Sequence, residues 1–343
     1  MLSHLKCQGS AFEVGQALGR FGAAAVHEVL LNSEAWAQVM RWRSSTVLQY
    51  MAGLVQQRLP AIWQELQGLA SGLELPLDDV FAWNCRGDVW AMAPDGCTTV
   101  QLPGKGYPSI AHNEDGNPGL LGRCALAEIQ VTGGSHFAAV VYPGSLPGHT
   151  IGVTQGGLAI TVNNIRTLHA SPGLPRMVLA RALLDQASAA AAIELLKSCR
   201  RSGGFHLTLG QAGIAELFSV EFNAHHCSVI TITRPSVHAN HMVHAAMAHQ
   251  PQIVTGSSGH RQIRGERLLD EAGRQGQPVD ALRILYDQDH PKFPIFRDDP
   301  RDTDRENTVA TACIEVGAAS VKWQVHTQRS LTPQYRLTNG ELS

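Results

Sequence analysis

At Gly96 the chain switches from a helical to a strand period, so any fold it adopts must join two such blocks. Upstream, "SAFEVGQALGRFGAAAVHEVLL" and "STVLQYMAGLVQQRLPAIWQELQGLASGL" carry apolar residues at helical spacing. "PLDDVFAWNCRGDVWAM" opens with Pro76 and the acids Asp78 and Asp79, a helix start. Downstream, "CTTVQL", "PSIAH", "ALAEIQVT", "HFAAVVYP" and "LAITVNN" are short, β-rich and punctuated by Gly, Pro and Asn, as in successive antiparallel strands. "PRMVLARALLDQASAAAAIELLKSC" predicts two helices, and "FHLTLG", "GIAELFSVEF" and "CSVITIT" predict further strands. "HRQIRGERLLDEA" and "VDALRILYD" return to helix before the closing strands "NTVATACIEV" and "SVKWQVHT". This order predicts an α+β fold, layered within a single domain spanning residues 1–343. The polar stretch from Asp287 to Asp304 reads as a long surface loop.

Composition narrows the function classes. A hydrophobic fraction of 44% with 16% charged residues is globular. A net charge of −2 and a pI near 6.8 give no pull toward nucleic acid or anionic lipid, so neither is an expected partner. No run approaches the length of a membrane span, and "MLSHLKCQGSAFEVG" lacks the apolar core of a secretory signal. The seven cysteines are odd in number, scattered and never CxxC. That pattern points to a reducing compartment, the cytoplasm, and away from a disulfide framework or cysteine zinc site.

The chemistry centres on "PDGCTTV", residues 94–100. Gly96 permits conformations that a side chain forbids, and Thr98-Thr99-Val100 favours a strand. Cys97 is therefore expected to open a strand leaving a strained, accessible turn. A buried structural cysteine is the bland alternative. If the Gly96–Cys97 bond is cut, Cys97 gains an α-amine with a reference pKa of roughly 7.7–8.0. Such an amine can serve as base for its own thiol. Asp115 in "AHNEDGN" follows after one hairpin's worth of chain, in reach of that amine, unless "EDGN" is simply an Asx turn. Oxyanion donors are sought at strand ends, where Asn163, Asn164 and Asn240 lie.

In "GSSGHRQIRGERLL" a helix starts with Ser257 and Ser258 as candidate caps. Arg261, Arg264 and Arg267 share much of one face. They either pair in solvent with Glu266 and Asp270, or Arg261 points into the site to hold Asp115 or a substrate carboxylate. A rival metal reading rests on His238, His241 and His244 with His225 and His226, but it lacks an HExxH carboxylate. Gly15, Gly19 and Gly22 fall inside a helical pattern, which suits close helix packing and not a dinucleotide loop. "GSSGH" is not a GxSxG elbow.

With these residues assembled, the chain resembles the acyl-CoA:isopenicillin N acyltransferase family, peptidase family C45. Its members are N-terminal-nucleophile hydrolases more distantly related to the choloylglycine and penicillin V hydrolases. "FEVGQALG", "LQGLASGLELPLDDVFAWNCRGDV", "DGCTT", "AHNEDGN", "GLAITVNN", "VHANH" and "SSGHRQIRGERLL" occur in the family's order. The resemblance implies a four-layer αββα sandwich and a precursor that cuts itself between Gly96 and Cys97. Fragments 1–96 and 97–343 would stay together as a heterodimer, with homo-oligomerisation left open. It implies Cys97 as nucleophile and base, Asp115 as the amine and substrate contact, and Asn240 as oxyanion donor. Arg261 and Asn164, or else Asn163, would support the site, without metal or cofactor.

His112 stands where relatives carry arginine or glutamine, and Gly116 where many carry tryptophan, so no named member's substrate transfers. Glu114 adds negative charge that suits a substrate with a free amine. The expected activity is hydrolysis of a small linear amide of the N-acyl amino acid, dipeptide-like or β-alanyl-amine type. The alternatives are acyl transfer from a coenzyme A thioester to an amine, and a catalytically silent ligand-binding member.

Overall fold

The computed structural model describes residues 1–343 apart from 94, 95, 105, 106, 169, 300 and 303. The chain begins with β1 (Ser3–Gly9) and continues through α1 (Ala11–Ala25), α2 (Glu34–Met40), α3 (Thr46–Arg58), α4 (Pro60–Leu73), α5 (Leu77–Asn84) and α6 (Arg86–Val89). Strands β2 (Gly96–Leu102), β3 (Ser109–Gly116), β4 (Ala125–Val131), β5 (His136–Val141), β6 (Ile151–Thr154) and β7 (Leu158–Asn164) follow. Helices α7 (Arg176–Leu183) and α8 (Ala189–Ser198) precede β8 (Phe205–Gln211), β9 (Phe218–Phe222), β10 (Cys227–Thr231) and β11 (Ser236–His238). The last part holds α9 (Gly256–Arg274), α10 (Ala281–Leu285), β12 (Asn307–Val316), β13 (Val321–His326), β14 (Tyr335–Thr338) and β15 (Glu341–Leu342). The fold is mixed α and β, with two large sheets and helices, as the change of period predicts.

One sheet has the order β1-β4-β5-β6-β7-β8-β9-β10 and the other β11-β2-β3-β12-β13-β14-β15. The β1–β4 pair is parallel. Strand β1 corrects the helical reading of the N-terminal third. Its short alternation, His4-Leu5-Lys6-Cys7, buries Cys7 while its neighbours stay more exposed, the pattern of a half-covered edge strand.

Helix α1 starts at a capping box. Ser10 Oγ accepts from the Glu13 amide (3.3 Å), and Glu13 Oε2 accepts from the Ser10 amide (2.8 Å). Its glycines lie against α4. A Cβ on Gly15 would sit 1.9 Å from Glu65 O, and one on Gly68 would sit 1.9 Å from Phe12 O. The two backbones are in contact, which accounts for glycine inside a helical pattern. Gly68→Ala should therefore cost about 1–3 kcal/mol through overpacking, read as a lowered melting temperature or denaturant midpoint. An unchanged midpoint would mean the crossing relaxes freely.

Two faces of β2 and β3 are built differently. Val100 and Ala111 join Val237, Leu268, Leu269, Ile284, Leu285 and Ile295 in an apolar cluster under α9 and α10. The opposite face presents Cys97, Thr99, Gln101, His112 and Glu114, all buried. Thr99 reaches Asn163 on β7 (2.7 Å), and Gln101 reaches Thr208 on β8 (2.7 Å). A polar layer therefore fills the space between the sheets at this point.

One expectation needs correction and another is refined. "AHNEDGN" does not turn just past a strand, because β3 continues through Gly116 and pairs with β2 on one side and β12 on the other. Pairing on both sides satisfies the backbone that an Asx turn would otherwise serve. The segment from Asp287 to Asp304 has no regular secondary structure among its described residues, yet Ile295, Phe296 and Arg297 are buried. It is a surface loop, as expected, but one pinned to the protein by these three buried residues.

Candidate active site

Gly96 and Cys97 are the first residues of β2, in register with Asp115 and Glu114 of β3. The turn expected before them falls on Pro94 and Asp95, outside the described residues. Gly96 is the first residue of a strand, where no turn accounts for the missing side chain. Space does. A Cβ there would lie 2.3 Å from Glu306 Oε2 and 3.5 Å from the Asp115 Cβ. Cys97 is also not accessible as expected, being 2% exposed.

Three groups address Cys97. Its amide N–H donates to Asn240 Oδ1 (2.9 Å), and its carbonyl accepts from Arg261 Nη1 (2.6 Å). Its Sγ contacts Glu114 Oε2 (3.6 Å), which in turn meets His112 Nε2 (3.2 Å). The cross-strand pairing of Cys97 with Glu114 puts both side chains on one face, and His112 follows two residues along it.

Arg261 enters from the start of α9. The cap of this helix is Thr255, whose side chain accepts from the Ser258 amide; neither Ser257 nor Ser258 is the cap. Those serines instead serve the site. Ser257 Oγ accepts from Arg261 Nε (3.1 Å), and Ser258 Oγ accepts from the Asn240 amide (2.9 Å). Arg261 also donates to Thr98 Oγ1 (2.8 Å) and Asn240 Oδ1 (2.6 Å). Burial, with Arg297 nearby, pulls its pKa below the usual value, and the Asp115 charge opposes this. It does not clasp Asp115, one of the two partners expected for it, because its donors are committed to Cys97, Thr98, Asn240 and Ser257. Three-residue spacing drifts around a helix by about 60° per step. Arg264 accordingly pairs with Asp287 (2.6 Å), and Arg267 is exposed.

Asn240 is held from several sides. Its Nδ2 donates to Asn164 O (3.1 Å), while Asn164 Oδ1 accepts from Arg176 Nη1 (2.6 Å). Glu221 ties down the following loop, accepting from His238 Nε2 (2.8 Å), the Val243 amide (2.7 Å) and the His244 amide (3.1 Å). The histidines of the metal reading have other work. His241 Nδ1 meets Ser258 Oγ, His244 Nε2 meets Ser219 Oγ, and His238 stacks on His206 with ring centroids 3.4 Å apart. His225 and His226 are exposed.

On the Gly96 side lies a charged cluster that the sequence reading missed. Arg297, fully buried, pairs with Asp302, Asp304 (3.3 Å) and Glu306 (3.0 Å). Thr308 Oγ1 donates to Asp115 Oδ1 (2.7 Å). Asp115 Oδ2 is buried with no hydrogen-bond partner among the described residues. Burial raises the Asp115 pKa against the opposing pull of Arg297 and Arg261. Burial likewise lifts Glu306 to about 7, with Arg297 and Arg166 opposing. The available sequence signal was "ENT", Glu306 to Thr308, at the start of the predicted closing strand "NTVATACIEV".

The buried cysteine at a glycine-preceded strand start, with its amide on an asparagine, is a specific arrangement to compare with known proteins. The family model described as acyl-coenzyme A:6-aminopenicillanic acid acyl-transferase matches residues 102–330, more than half of the chain. The chain belongs to this acyltransferase family. Two curated relatives match at lower identity. Over 218 residues the chain is 25% identical to the beta-alanyl-dopamine/carcinine hydrolase of Drosophila melanogaster. That match spans 56% of this chain and 56% of the relative. Over 327 residues it is 23% identical to the 40 kDa form of the acyl-coenzyme A:6-aminopenicillanic-acid-acyltransferase of Emericella nidulans, 86% of this chain and 84% of the relative. This family thus includes relatives named for amide hydrolysis and for acyl transfer. At Gly116 the structure leaves no room for a side chain. A Cβ there would lie 2.5 Å from Tyr142 Oη.

Proposed function

We propose that this chain is an autoprocessing cysteine amidohydrolase with an N-terminal nucleophile, folded as a four-layer αββα sandwich in one domain. The precursor cuts itself between Gly96 and Cys97, and fragments 1–96 and 97–343 stay paired. The observation that carries the reading is the Cys97 amide nitrogen resting on Asn240 Oδ1, with Arg261 gripping both residues. A nitrogen so held becomes a positioned α-amine when the preceding bond breaks. Asp115 Oδ2, buried and without a hydrogen-bond partner among the described residues, is suited to the resulting ammonium.

In the mature site the amine takes the thiol proton, and the thiolate attacks the amide carbonyl of the substrate. One N–H of Asn240 Nδ2 is spent on Asn164 O, and the other donates to the developing oxyanion. The amine then passes its proton to the leaving nitrogen, and water resolves the acyl-enzyme. The substrate is a small linear amide of the β-alanyl-amine, dipeptide-like or N-acyl amino acid type. Acyl transfer from a thioester to an amine is the second reading, favoured by the relative that matches 86% of the chain. Seven free cysteines fit a cytoplasmic setting. No helix among the described residues is long and apolar enough to cross a membrane.

Intact-mass spectrometry of the purified protein tests the first step, with two fragments expected, one beginning at Cys97. A lasting single full-length species would sink the reading. Product analysis with and without an acceptor amine separates hydrolysis from transfer. Asn240→Ala should lower kcat by about 10²- to 10³-fold. Turnover lost to a strong chelator in the wild-type enzyme would point to a metal.

A further inference from the structure

Self-cleavage poses a problem that turnover does not. Before the bond breaks, the nitrogen of Cys97 is an amide and cannot be the base for the thiol. Some other group must take that proton, and the polar layer between the sheets identifies it.

The hydrogen bonds of the layer fix its protons. Asn163 Nδ2 donates to His238 O (3.1 Å), because the reversed amide would set two oxygens against each other. Asn163 Oδ1 is therefore an acceptor, and it receives Thr99 Oγ1 (2.7 Å) and His206 Nδ1 (2.9 Å). With its own proton given to Asn163, the Thr99 hydroxyl must accept from His112 Nδ1 (2.7 Å). His112 Nδ1 thus bears a hydrogen. The other ring nitrogen, Nε2, faces Glu114 Oε2 at 3.2 Å. Two acceptors cannot share that contact, so one proton lies between Glu114 and His112. The same Oε2 is 3.6 Å from Cys97 Sγ.

We propose that Glu114 and His112 together are the proton acceptor for the Cys97 thiol during self-cleavage of the Gly96–Cys97 bond. This rests on the autoprocessing reading above. The thiol proton moves to Glu114 Oε2 and the shared proton settles on His112 Nε2, leaving a thiolate, a neutral carboxyl and an imidazolium. The Sγ–C bond to the Gly96 carbonyl forms and the C–N bond to Cys97 breaks. The departing nitrogen takes back the stored proton. Water then hydrolyses the thioester, giving the Gly96 carboxylate and the free thiol. Burial pushes the His112 pKa down to about 3, so the ring is neutral at ordinary pH before the thiol gives up its proton. Both residues are catalytic in this step, and neither needs to be invoked once the α-amine exists.

The test follows the cleavage of freshly translated full-length chain by intact mass. Glu114→Gln keeps a donor for His112 and an acceptor for the thiol but cannot pass a proton. Cleavage should slow by about 10²-fold or more. Wild-type cleavage should vary little between about pH 6 and pH 8, whereas Glu114→Gln should speed up by about tenfold per pH unit as solvent takes the thiol proton. His112→Gln should show the same slowing and the same steep profile, and thermal unfolding reports whether each variant is folded. Cleavage of the folded variants at the wild-type rate, or slowed with the wild-type pH profile, overturns the proposal. A wild-type chain that never cleaves fails the autoprocessing reading instead.

Discussion

Cys97→Ala should give one uncleaved chain of full length and a loss of turnover on the order of 10⁴-fold or more. The substitution removes the one sulfur that the proposed mechanism uses both to attack Gly96 and to hold the acyl group, so both losses share one cause. It should not unfold the protein. The side chain is small, its neighbours Glu114 and His112 keep their own hydrogen bond, and the backbone contacts to Asn240 and Arg261 remain. Intact mass and a steady-state assay on the same sample check the pair. Cleavage or turnover surviving in the alanine variant would remove Cys97 from the chemistry.

Arg297→Met should destabilise the protein by about 3–5 kcal/mol, the cost of leaving buried charge without its partner. Arg297 is paired with Asp302, Asp304 and Glu306 and lies in the field of Asp115, all close to Gly96. The sign of the pH dependence follows from Glu306, which burial lifts from 4.5 to about 7 even with Arg297 present. A carboxyl raised on folding favours the folded state below its unfolded pKa, and that contribution fades as pH rises through the folded value. Without the arginine the folded value climbs further. Both proteins lose this contribution alike between pH 4.5 and about 7, so the deficit of the variant should be level over that range and widen above pH 7. Glu306→Gln added to Arg297→Met should recover part of the loss. Chemical denaturation on both sides of pH 7 decides it, and a deficit that is small or independent of pH would refute the account.

The charged cluster also marks where sequence reasoning stops. Gly96 and Cys97 are legible because their signal is local, a glycine and a cysteine at a change of period. Asn240 and Arg261 are nearly so, since each sits at the end or start of a recognisable element. The expected Arg261–Asp115 clasp does not form, because Arg261 has closer acceptors in Cys97, Thr98, Asn240 and Ser257. Asp115 is bonded instead by Thr308, 193 residues further along.

Local propensity and hydrophobic period are properties of neighbours along the chain, and they suffice for the helical first block, the strands after Gly96 and the candidate nucleophile. They do not say which strands become adjacent. Only the pairing of β3 with β2 on one side and β12 on the other brings Glu114 onto the face of Cys97 and Thr308 beside Asp115. The polar positions of "CTTVQL" and "AHNEDG" look like a solvent face by alternation alone. They are buried because a second sheet covers them and supplies Asn163, His206 and Thr208 as hydrogen-bond partners. Burying such groups is tolerable only when each meets a partner, and those partners come from distant segments that tertiary packing alone brings near.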